Sequence, residues 1–260
     1  MIRAGIGGWN FEPWRGTFFP KGTSKAKELA FASRQVTTIE VNGTFYSTFK
    51  PPTFKKWHDE TPDDFVFSLK ANRFAVNRRV LGEAGPSIQR FLESGVTELK
   101  DKLGPILWQF MHTKKFDPAD FETFLALLPK SLDGVALRHA IEPRHESFKT
   151  PDFIALARKH GAAVVFADSR KFVSIPDATG DFVYCRLQET QEKVVTGYPP
   201  AQIKRWAEAA QAWGAGGLPE GMETTGKPAA KKKRDVFVYF IAGAKVRNPA
   251  AAAAFLKAVG

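Results

Sequence analysis

Short apolar runs recur along the chain, and each is rich in β-branched and aromatic residues. Runs of this length and composition, bounded by turn-forming residues, are typical of buried β-strands. Eight such runs are present, and the strands that they predict are Ile2–Ile6, Val36–Asn42, Phe65–Lys70, Ile106–Phe110, Val135–Glu142, Ala163–Ala167, Phe182–Leu187 and Val236–Ile241.

The segments between these runs have helical character, and most of them start at or near a proline. Proline is tolerated in the first turn because the first N–H groups of a helix lack intrahelical partners. The predicted helices are Ser24–Arg34, Thr53–Glu60, Pro86–Glu98, Pro118–Leu128, Pro151–His160, Pro199–Trp213 and Pro249–Val259.

Strands and helices therefore alternate, and this order predicts a parallel sheet. Eight repeats predict one α/β domain, residues 1–260, folded as a (β/α)8 TIM-type barrel. An open doubly wound sheet is the alternative architecture. Its dinucleotide-binding version is disfavoured because no Gly-x-Gly-x-x-Gly follows the first predicted strand.

Two segments depart from this regular alternation. Only residues 168–181 join the sixth and seventh predicted strands, so we expect a shortened connection there, with at most one helical turn. Residues 214–235, GAGGLPEGMETTGKPAAKKKRD, are dominated by Gly, Pro and charge and show no apolar periodicity. This composition predicts a flexible basic insertion before the eighth strand.

The overall composition indicates a folded protein in a reducing compartment. Hydrophobic residues make up 43% of the chain, which is enough for a sizeable core. A single Cys excludes a disulfide framework and a multi-Cys metal site. No apolar run approaches the roughly 18–20 residues that cross a bilayer, and MIRAGIGGW lacks the apolar core of a signal peptide. We therefore expect a soluble, cytoplasmic protein without a membrane partner.

The formal net charge of +11 is partly local. Five positive charges without an acidic residue lie in the insertion, at Lys227, Lys231, Lys232, Lys233 and Arg234. The remaining chain is still basic. A basic protein favours anionic ligands or nucleic acid, and charge alone does not decide between them.

Most of the predicted strands become polar on one face toward their C-terminal ends. In a barrel, one strand face meets the helices and the other lines the interior. Active sites of such barrels lie at the mouth formed by the C-terminal strand ends. The polar residues at these ends, which we expect to converge, are Glu40, Asn42, Ser68, Lys70, Gln109, Glu142, Arg144, Asp168, Tyr184, Arg186 and Gln188. A network of ion pairs without a ligand is the alternative interpretation of these charges.

The same strand ends carry a family resemblance that extends over nearly the whole chain. The motifs, in order, are GIGGWNFEPWRGTFFP, TTIEVNGTFYS, FVFSLKANRF, KLGPILWQF, RHAIEPRHESF, VVFADS, DFVYCRLQ and VFVYFIAGAKVRNPAAA. Together they resemble the YecE-like family, DUF72. The resemblance implies a TIM-type barrel and does not imply a reaction.

The resemblance also implies which positions are family-typical. They are Trp9, Trp14, Glu40, Asn42, Phe45, Tyr46, Lys70, Gln109, Glu142, Arg144, His145, Asp168, Tyr184 and Arg186. The chain departs from the family at Gln188, where a His is common, at Asn77, near which many members carry a His, and at Ile241–Gly243, where an acidic run is common. These departures weaken any metal or acid–base scheme that depends on those positions.

The candidate catalytic residues are Glu142, Glu40, His145 and Asp168. Glutamate can serve as a base or a ligand, and histidine can exchange a proton near neutral pH. Arginine offers a planar fork for carboxylate or phosphate, and lysine adds positive potential. The predicted substrate-binding residues are Arg144, Lys70, Arg186, Asn42, Tyr184, Gln109, Trp9 and Tyr46. The alternative for each is a structural role in packing, hydrogen bonding or charge balance.

These residues predict an enzyme that acts on a small anionic substrate at the barrel mouth, by hydrolase, lyase or isomerase chemistry. No cofactor is predicted. A divalent metal held by Glu40, Glu142, His145 and Asp168 is a less favoured alternative, because such sites usually use several His residues and the chain has five in all. Two other functions stay open. They are nucleic-acid binding or processing by the basic surface, and ligand binding without catalysis.

Overall fold

The computed structural model describes residues 1–260, and its central feature is a closed barrel of parallel strands. In chain order the strands are β1 (Ile2–Gly7), β2 (Thr38–Val41), β3 (Val66–Lys70), β4 (Leu103–Gln109), β5 (Ser131–Leu132), β6 (Val135–Ala136), β7 (His139–Glu142), β8 (Ala163–Asp168), β9 (Phe182–Leu187) and β10 (Asp235–Phe240). Eight of them close in the order β1-β10-β9-β8-β7-β4-β3-β2. The predicted (β/α)8 barrel is confirmed.

Helices follow most of these strands along the chain. They are α1 (Glu28–Ala32), α2 (Gly43–Tyr46), α3 (Pro51–Glu60), α4 (Arg73–Val76), α5 (Gly85–Leu92), α6 (Pro118–Ala126), α7 (Pro151–Lys159), α8 (Pro200–Gly214) and α9 (Asn248–Val259). The predicted helix Pro86–Glu98 ends at Leu92, because Gly95 adopts a left-handed conformation with φ 107° and a 3-10 segment follows. None of these helices combines the length and the hydropathy that a bilayer crossing demands.

The fifth predicted strand, Val135–Glu142, is wrong in its first half. Val135–Ala136 pair antiparallel with Ser131–Leu132 in a small hairpin, and the barrel strand starts only at His139. The turn of this hairpin, Asp133–Gly134, has positive φ at both positions, as a two-residue Asp-Gly turn favours. An apolar run therefore contained two strands that belong to different sheets.

The connection between β8 and β9 contains no helix, as its length predicted. The insertion covers part of this region, and it contains neither helix nor strand between α8 and β10. The buried carboxylate of Asp177 accepts hydrogen bonds from the N–H groups of Thr225 and Gly226 at 2.7 and 2.9 Å. The guanidinium of Arg158 bonds the carbonyl of Lys227. The insertion is thus attached to the barrel, and its flexibility stays a prediction.

Two apolar layers lie on the two faces of the sheet. The larger layer fills the space between strands and helices and is rich in Phe and Trp. The smaller one fills the barrel interior and includes Val165, Tyr184, Phe237 and Tyr239. Tyr184 in the interior and Cys185 in the outer layer confirm the predicted alternation of faces along β9.

Candidate functional site

The polar strand ends meet at one end of the barrel interior. Glu40 lies on β2, Lys70 on β3, Gln109 on β4, Glu142 on β7 and Arg186 on β9. All five side chains are buried, and both carboxylates are inaccessible to solvent. Because all of these residues point inward near the C-terminal ends of parallel strands, the predicted convergence is observed at these five positions.

The guanidinium of Arg186 joins the two carboxylates. Its Nε and Nη2 donate to the two oxygens of Glu40, each at 3.0 Å. Its Nη1 donates to both oxygens of Glu142, at 2.9 and 2.7 Å. A planar fork with several donors suits this arrangement, in which a single cation pairs with two anions.

Further donors complete the hydrogen bonding of Glu40 and Glu142. Asn42 donates to Glu40 Oε1 at 3.0 Å, and the hydroxyl of Tyr184 donates to Oε2 at 2.7 Å. Gln109 donates to Glu142 Oε2 at 2.5 Å. The remaining contact of Glu142 Oε1 is long, 3.4 Å from Arg144 Nε. Among the four carboxylate oxygens of the network, Oε1 of Glu142 therefore has the weakest hydrogen bonding.

The environment favours the charged forms of Glu142 and Arg186. Burial raises the pKa of Glu142, but the charges of Arg186 and Arg144 and the hydrogen bond from Gln109 outweigh burial and hold that pKa below its ordinary value. Burial alone would lower the pKa of Arg186, yet Glu142 and Glu40 raise it above the ordinary range. Glu142 and Arg186 thus stabilise each other's charged forms.

A layer of hydroxyl groups supports the network from the barrel interior. The hydroxyls of Tyr184 and Ser68 lie 2.8 Å apart, and those of Tyr239 and Thr38 lie 2.9 Å apart. Burial and the charge of Glu40 raise the pKa of Tyr184 well above its ordinary value. Tyr184 therefore remains a hydrogen-bond donor to Glu40 across the physiological pH range.

Lys70 occupies a different environment from Arg186. Its ammonium lies 4.0 Å from the centre of the Phe45 ring and makes no hydrogen bond or ion pair. Burial, followed by the charge of Arg186, lowers the pKa of Lys70 to about 8, although Glu40 and Glu142 act in the opposite direction. A mixture of ammonium and neutral amine is therefore accessible at Lys70 near neutral pH.

Arg144 lies at the rim of the same site. Its guanidinium stacks 4.1 Å from the centre of the Phe172 ring, and only its Nε contacts Glu142. Its two terminal nitrogens donate to no protein acceptor, and the side chain is 22% exposed. Arg144 therefore presents a free planar pair of donors to the mouth.

A cavity of about 260 Å³ opens above the network. The residues that line it are Gly7, Asn42, Tyr46, Arg144, Arg186, Gln188, Ile241, Ala242, Lys245 and Asn248. A Cβ on Gly7 would lie 2.8 Å from Ile241 Cγ2, so the absence of a side chain at this position keeps the floor open. The size suits a small ligand.

Part of this lining was not predicted. Lys245 and Asn248 lie in the segment after β10, and Ile241 and Ala242 belong to the turn that precedes them. The sequence signal was the motif VFVYFIAGAKVRNPAAA, which the resemblance identified without assigning site residues. The polar character of Lys245 and Asn248 did not point to a site, because a lysine beside an alanine-rich helix is common on protein surfaces.

Three predicted site residues lie outside the network. Nδ1 of His145 accepts a hydrogen bond from the N–H of Ser147 and caps a short 3-10 turn. Oδ2 of Asp168 accepts one from Tyr198 at 2.8 Å, and burial followed by the charge of Glu189 raises the pKa of Asp168. Trp9 packs edge-on against Trp57 of α3. Catalytic roles for His145 and Asp168, and a binding role for Trp9, stay predictions.

Tyr46 is the predicted aromatic residue that does reach the cavity, and the residue is 65% exposed. Among His, Cys, Asp and Glu side chains, no group of three is arranged to hold a metal ion. Of the four ligands considered for a metal, only Glu40 and Glu142 share one network, and Arg186 occupies both.

Comparison with known proteins places this geometry in a family. The family model described as "Protein of unknown function DUF72" matches residues 3–260. The UPF0759 protein YecE of Escherichia coli K12 is 27% identical over 143 residues, which cover 54% of this chain and 49% of YecE. The match thus spans about half the length of this curated relative.

Solved structures show the same fold. A DUF72 family protein from Thermotoga maritima superposes with a TM-score of 0.75 at 21% identity, covering 99% of this chain and 98% of that chain. A DUF72 family protein from Enterococcus faecalis gives a TM-score of 0.71 at 17% identity, with 100% and 95% covered. At these identities the likeness establishes the barrel and not an activity.

Proposed function

The chain belongs to the DUF72 family of proteins of unknown function, and on that premise we propose that it is a barrel enzyme. Its substrate is a small molecule that carries a phosphate or a carboxylate. The anion binds in the mouth cavity, and a carboxylate of the Arg186 network transfers a proton.

The observation that carries the proposal is the excess of uncommitted positive charge at the mouth. Arg186 is neutralised by Glu40 and Glu142, but Arg144 and Lys245 line the cavity without a carboxylate of their own beyond the long Glu142 contact. Lys70 does not itself line the cavity, but it lies close enough to Arg186 and Arg144 for their charges to lower its pKa, and it forms no ion pair. A small anion would balance these charges, and a partly buried charge gains most from such a partner.

The position of the cavity supports the same conclusion. Gln188 follows β9, the seventh strand of the barrel, and Ile241–Lys245 follow β10, the eighth. TIM barrels frequently bind phosphate with the loops after their seventh and eighth strands. Ala242 lines the cavity, and its N–H donates to no protein acceptor, so it is available as a further donor.

Glu142 is the carboxylate that we assign to proton transfer. Its Oε1 has the longest hydrogen bond of the network, 3.4 Å to Arg144. A bound anion would attract Arg144 and leave this oxygen with the Arg186 hydrogen bond alone, so that it can accept a substrate proton. Glu40 accepts four hydrogen bonds of 3.0 Å or shorter, so its role is to fix Arg186 and Asn42. Hydrolase, lyase and isomerase reactions all use such a base.

Calorimetric titration with inorganic phosphate and with small carboxylates tests the binding step. Arg144→Ala should weaken anion binding at least tenfold, and Arg144→Lys should recover part of it. Arg170→Ala is the matched control, because Arg170 is 87% exposed and pairs with Glu189 away from the cavity. Equal affinity in the wild type and Arg144→Ala would refute the proposed site.

Glu142→Gln tests the chemical step with whichever small anion the titrations identify. This variant should retain binding and lose turnover, because an amide cannot accept the proton. Binding without turnover in the wild type would instead establish a ligand-binding barrel without catalysis.

The opposite end of the barrel supports a second candidate, contact with nucleic acid. A cavity of about 470 Å³ at the N-terminal strand ends is lined by Lys130, Arg138, Arg158, Lys159 and Lys232, with Asp181 as its single carboxylate. Lys232 comes from the basic insertion, whose neighbours Lys231 and Lys233 are exposed. Such a surface attracts phosphate backbones without reading sequence.

Replacing Lys231, Lys232 and Lys233 with Gln separates the two candidates. Oligonucleotide affinity should fall, and its salt dependence should become shallower, if this surface binds nucleic acid. Phosphate affinity at the mouth should not change. Salt-independent affinity for an oligonucleotide would contradict the second candidate.

A further inference from the structure

Lys70 combines burial with the lack of a counter-ion, and this combination is unusual in the chain. We propose that Lys70 is a nucleophile that forms an imine with the carbonyl group of a small anionic substrate, such as an oxo acid or a phosphorylated aldehyde or ketone. The inference rests on the proposed function, since the anionic group of the substrate would bind in the same mouth. It narrows the substrate to small anions that also carry a carbonyl group.

Comparison with a second buried lysine shows what is special about Lys70. Lys102 is 4% exposed, and its Nζ donates to the carbonyls of His58 and Thr61 at 2.7 and 2.8 Å. Lys70 is 7% exposed, but its Nζ has no acceptor at all. The ammonium of Lys102 is held in place by hydrogen bonds, which is a structural arrangement. The amine of Lys70 remains available.

The neighbours of Lys70 explain why no acceptor reaches it. The oxygens of Glu40 and Glu142 are directed to Arg186, Asn42, Tyr184 and Gln109. The Phe45 ring contacts the ammonium by its face, which attracts a cation but takes no proton. Lysines become nucleophiles when they are desolvated or lie next to another cation, and Lys70 meets both conditions.

The electrostatics agree with this geometry. Burial and the charge of Arg186 lower the pKa of Lys70 to about 8. At pH 7 roughly a tenth of the side chain is then neutral amine, compared with well under a thousandth for an ordinary lysine. The neutral form is the one that has a lone pair for attack.

The reaction balances without an external oxidant or reductant. The lone pair of the neutral Nζ attacks the carbonyl carbon, and the carbonyl π electrons move to oxygen. One proton moves from nitrogen to that oxygen, and a second proton reaches it from solvent, so that nitrogen keeps one proton and the imine forms in its protonated state. Water leaves as the C=N bond forms. The protonated imine withdraws electrons from the adjacent carbon, which prepares that carbon for loss of a proton to Glu142 or for cleavage of a carbon–carbon bond.

Reductive trapping tests the assignment. The wild-type protein is treated with glyoxylate, which carries both a carbonyl and a carboxylate, in the presence and absence of sodium cyanoborohydride. Hydride addition to the imine carbon fixes the adduct as a secondary amine, and peptide mapping by mass spectrometry locates it. Excess inorganic phosphate serves as competitor for the anion position.

We expect hydride-dependent labelling at Lys70 at least tenfold faster than at the exposed lysines, and suppression of that labelling by phosphate. Lys70→Arg keeps the positive charge, so it should abolish this label while glyoxylate or phosphate still binds. Lys102 should remain unlabelled in the same digest. Lys245 is the internal comparator, because it also lies over an aromatic ring, 4.4 Å from the centre of Phe11, and lines the cavity.

Three results would overturn the inference. They are no adduct at Lys70, labelling of Lys70 at the same rate as exposed lysines, and preferential labelling of Lys245. If phosphate binding still depends on Arg144 in that case, the proposed anion site stands and only the role of Lys70 is wrong. If phosphate binding is independent of Arg144 while Lys70 is labelled, the anion site is wrong and the nucleophile stands.

Discussion

Nη1 of Arg186 donates to both oxygens of Glu142, at 2.9 and 2.7 Å, while the other donors of the same guanidinium hold Glu40. The arginine belongs to β9, and the two glutamates belong to β7 and β2. One side chain therefore connects three strands across the barrel interior. Glu40, Glu142 and Arg186 together carry two negative charges and one positive charge, and Arg144, which contacts Glu142 from the rim, supplies the second positive charge.

Replacing Arg186 should destabilise the fold more than any surface change. Arg186→Leu removes the buried cation that pairs with both carboxylates, and such a loss typically costs about 3–5 kcal/mol of unfolding free energy. Urea denaturation at pH 7 measures the difference. Arg170→Ala, at an exposed ion pair, should change stability by less than about 1 kcal/mol. If Arg186→Leu unfolds at the same urea concentration as the wild type, the two carboxylates find other partners.

The lowered pKa of Lys70 predicts a pH dependence at alkaline pH. The pKa is about 8 in the folded protein and 10.5 ordinarily, so the unfolded chain binds more protons in that interval. Folding stability should therefore rise with pH between about 8 and 10.5, by roughly 3 kcal/mol in total for this group. The difference in unfolding free energy between wild type and Lys70→Met, measured at several pH values, isolates the effect.

Lys70→Met removes the titrating amine while keeping an apolar chain beside Phe45. The wild type should gain stability relative to this variant as the pH rises. A constant difference between the two proteins from pH 7 to 10.5 would contradict the lowered pKa.

Sequence periodicity predicted the barrel because burial on both faces leaves a clear record in parallel strands. The alternation of faces also placed Glu40, Lys70, Glu142 and Arg186 at one mouth. The alternation could not show where a side chain points once the chain bends at the end of its strand. Asp168 ends β8 just as Glu142 ends β7, yet Asp168 points toward Tyr198 and Glu142 points toward Arg186.

The failures in the sequence analysis have physical reasons. Val135–Ala136 looked continuous with the barrel strand because apolar composition does not reveal which partner a strand pairs with. The charge-rich surroundings of His145 gave no sign of its local hydrogen bond with Ser147, and its catalytic role stays a prediction. Lys245 was missed because nothing in the sequence shows that the segment after β10 folds over the mouth.

Tyr198 offers a test of whether Asp168 is structural. Its hydroxyl donates to Asp168 Oδ2 and accepts from the N–H of Glu189, both at 2.8 Å. Tyr198→Phe leaves both groups without this partner, so it should cost about 1–3 kcal/mol of unfolding free energy. It should also raise the pKa of Asp168 further, because the lost hydrogen bond lowers that pKa.

Denaturation and a carboxyl NMR titration measure these two effects. Tyr46→Phe is the control for stability, since Tyr46 is exposed and its hydroxyl makes no hydrogen bond. Phosphate affinity should stay unchanged in Tyr198→Phe, because Asp168 lies outside the Arg186 network. A loss of phosphate affinity in Tyr198→Phe would instead indicate that Asp168 contributes to the anion site.

Gly7→Ala should narrow the mouth cavity. The new Cβ would lie 2.8 Å from Ile241 Cγ2 and 3.2 Å from Asn42 Nδ2, so one of these neighbours must move. We expect a loss of about 1–3 kcal/mol in stability and weaker phosphate binding. Gly217→Ala, in the insertion, is the control, because a Cβ there has more room and Gly217 has a negative φ. Gly134→Ala is less suitable, since the φ of Gly134 is 76°. Unchanged phosphate affinity in Gly7→Ala would place the ligand elsewhere.

The attachment of the insertion to Asp177 has a consequence for how variants of this chain should be made. The section that reaches Asp177, at Thr225 and Gly226, contains no positive charge, while the exposed lysines follow it. Anchoring and charge thus reside in separate parts of one segment. Deleting the whole segment would expose the apolar surface around Ile154, which packs close to Gly226. Insolubility after such a truncation would report on the exposed apolar surface, whereas lysine substitutions alone report on electrostatics.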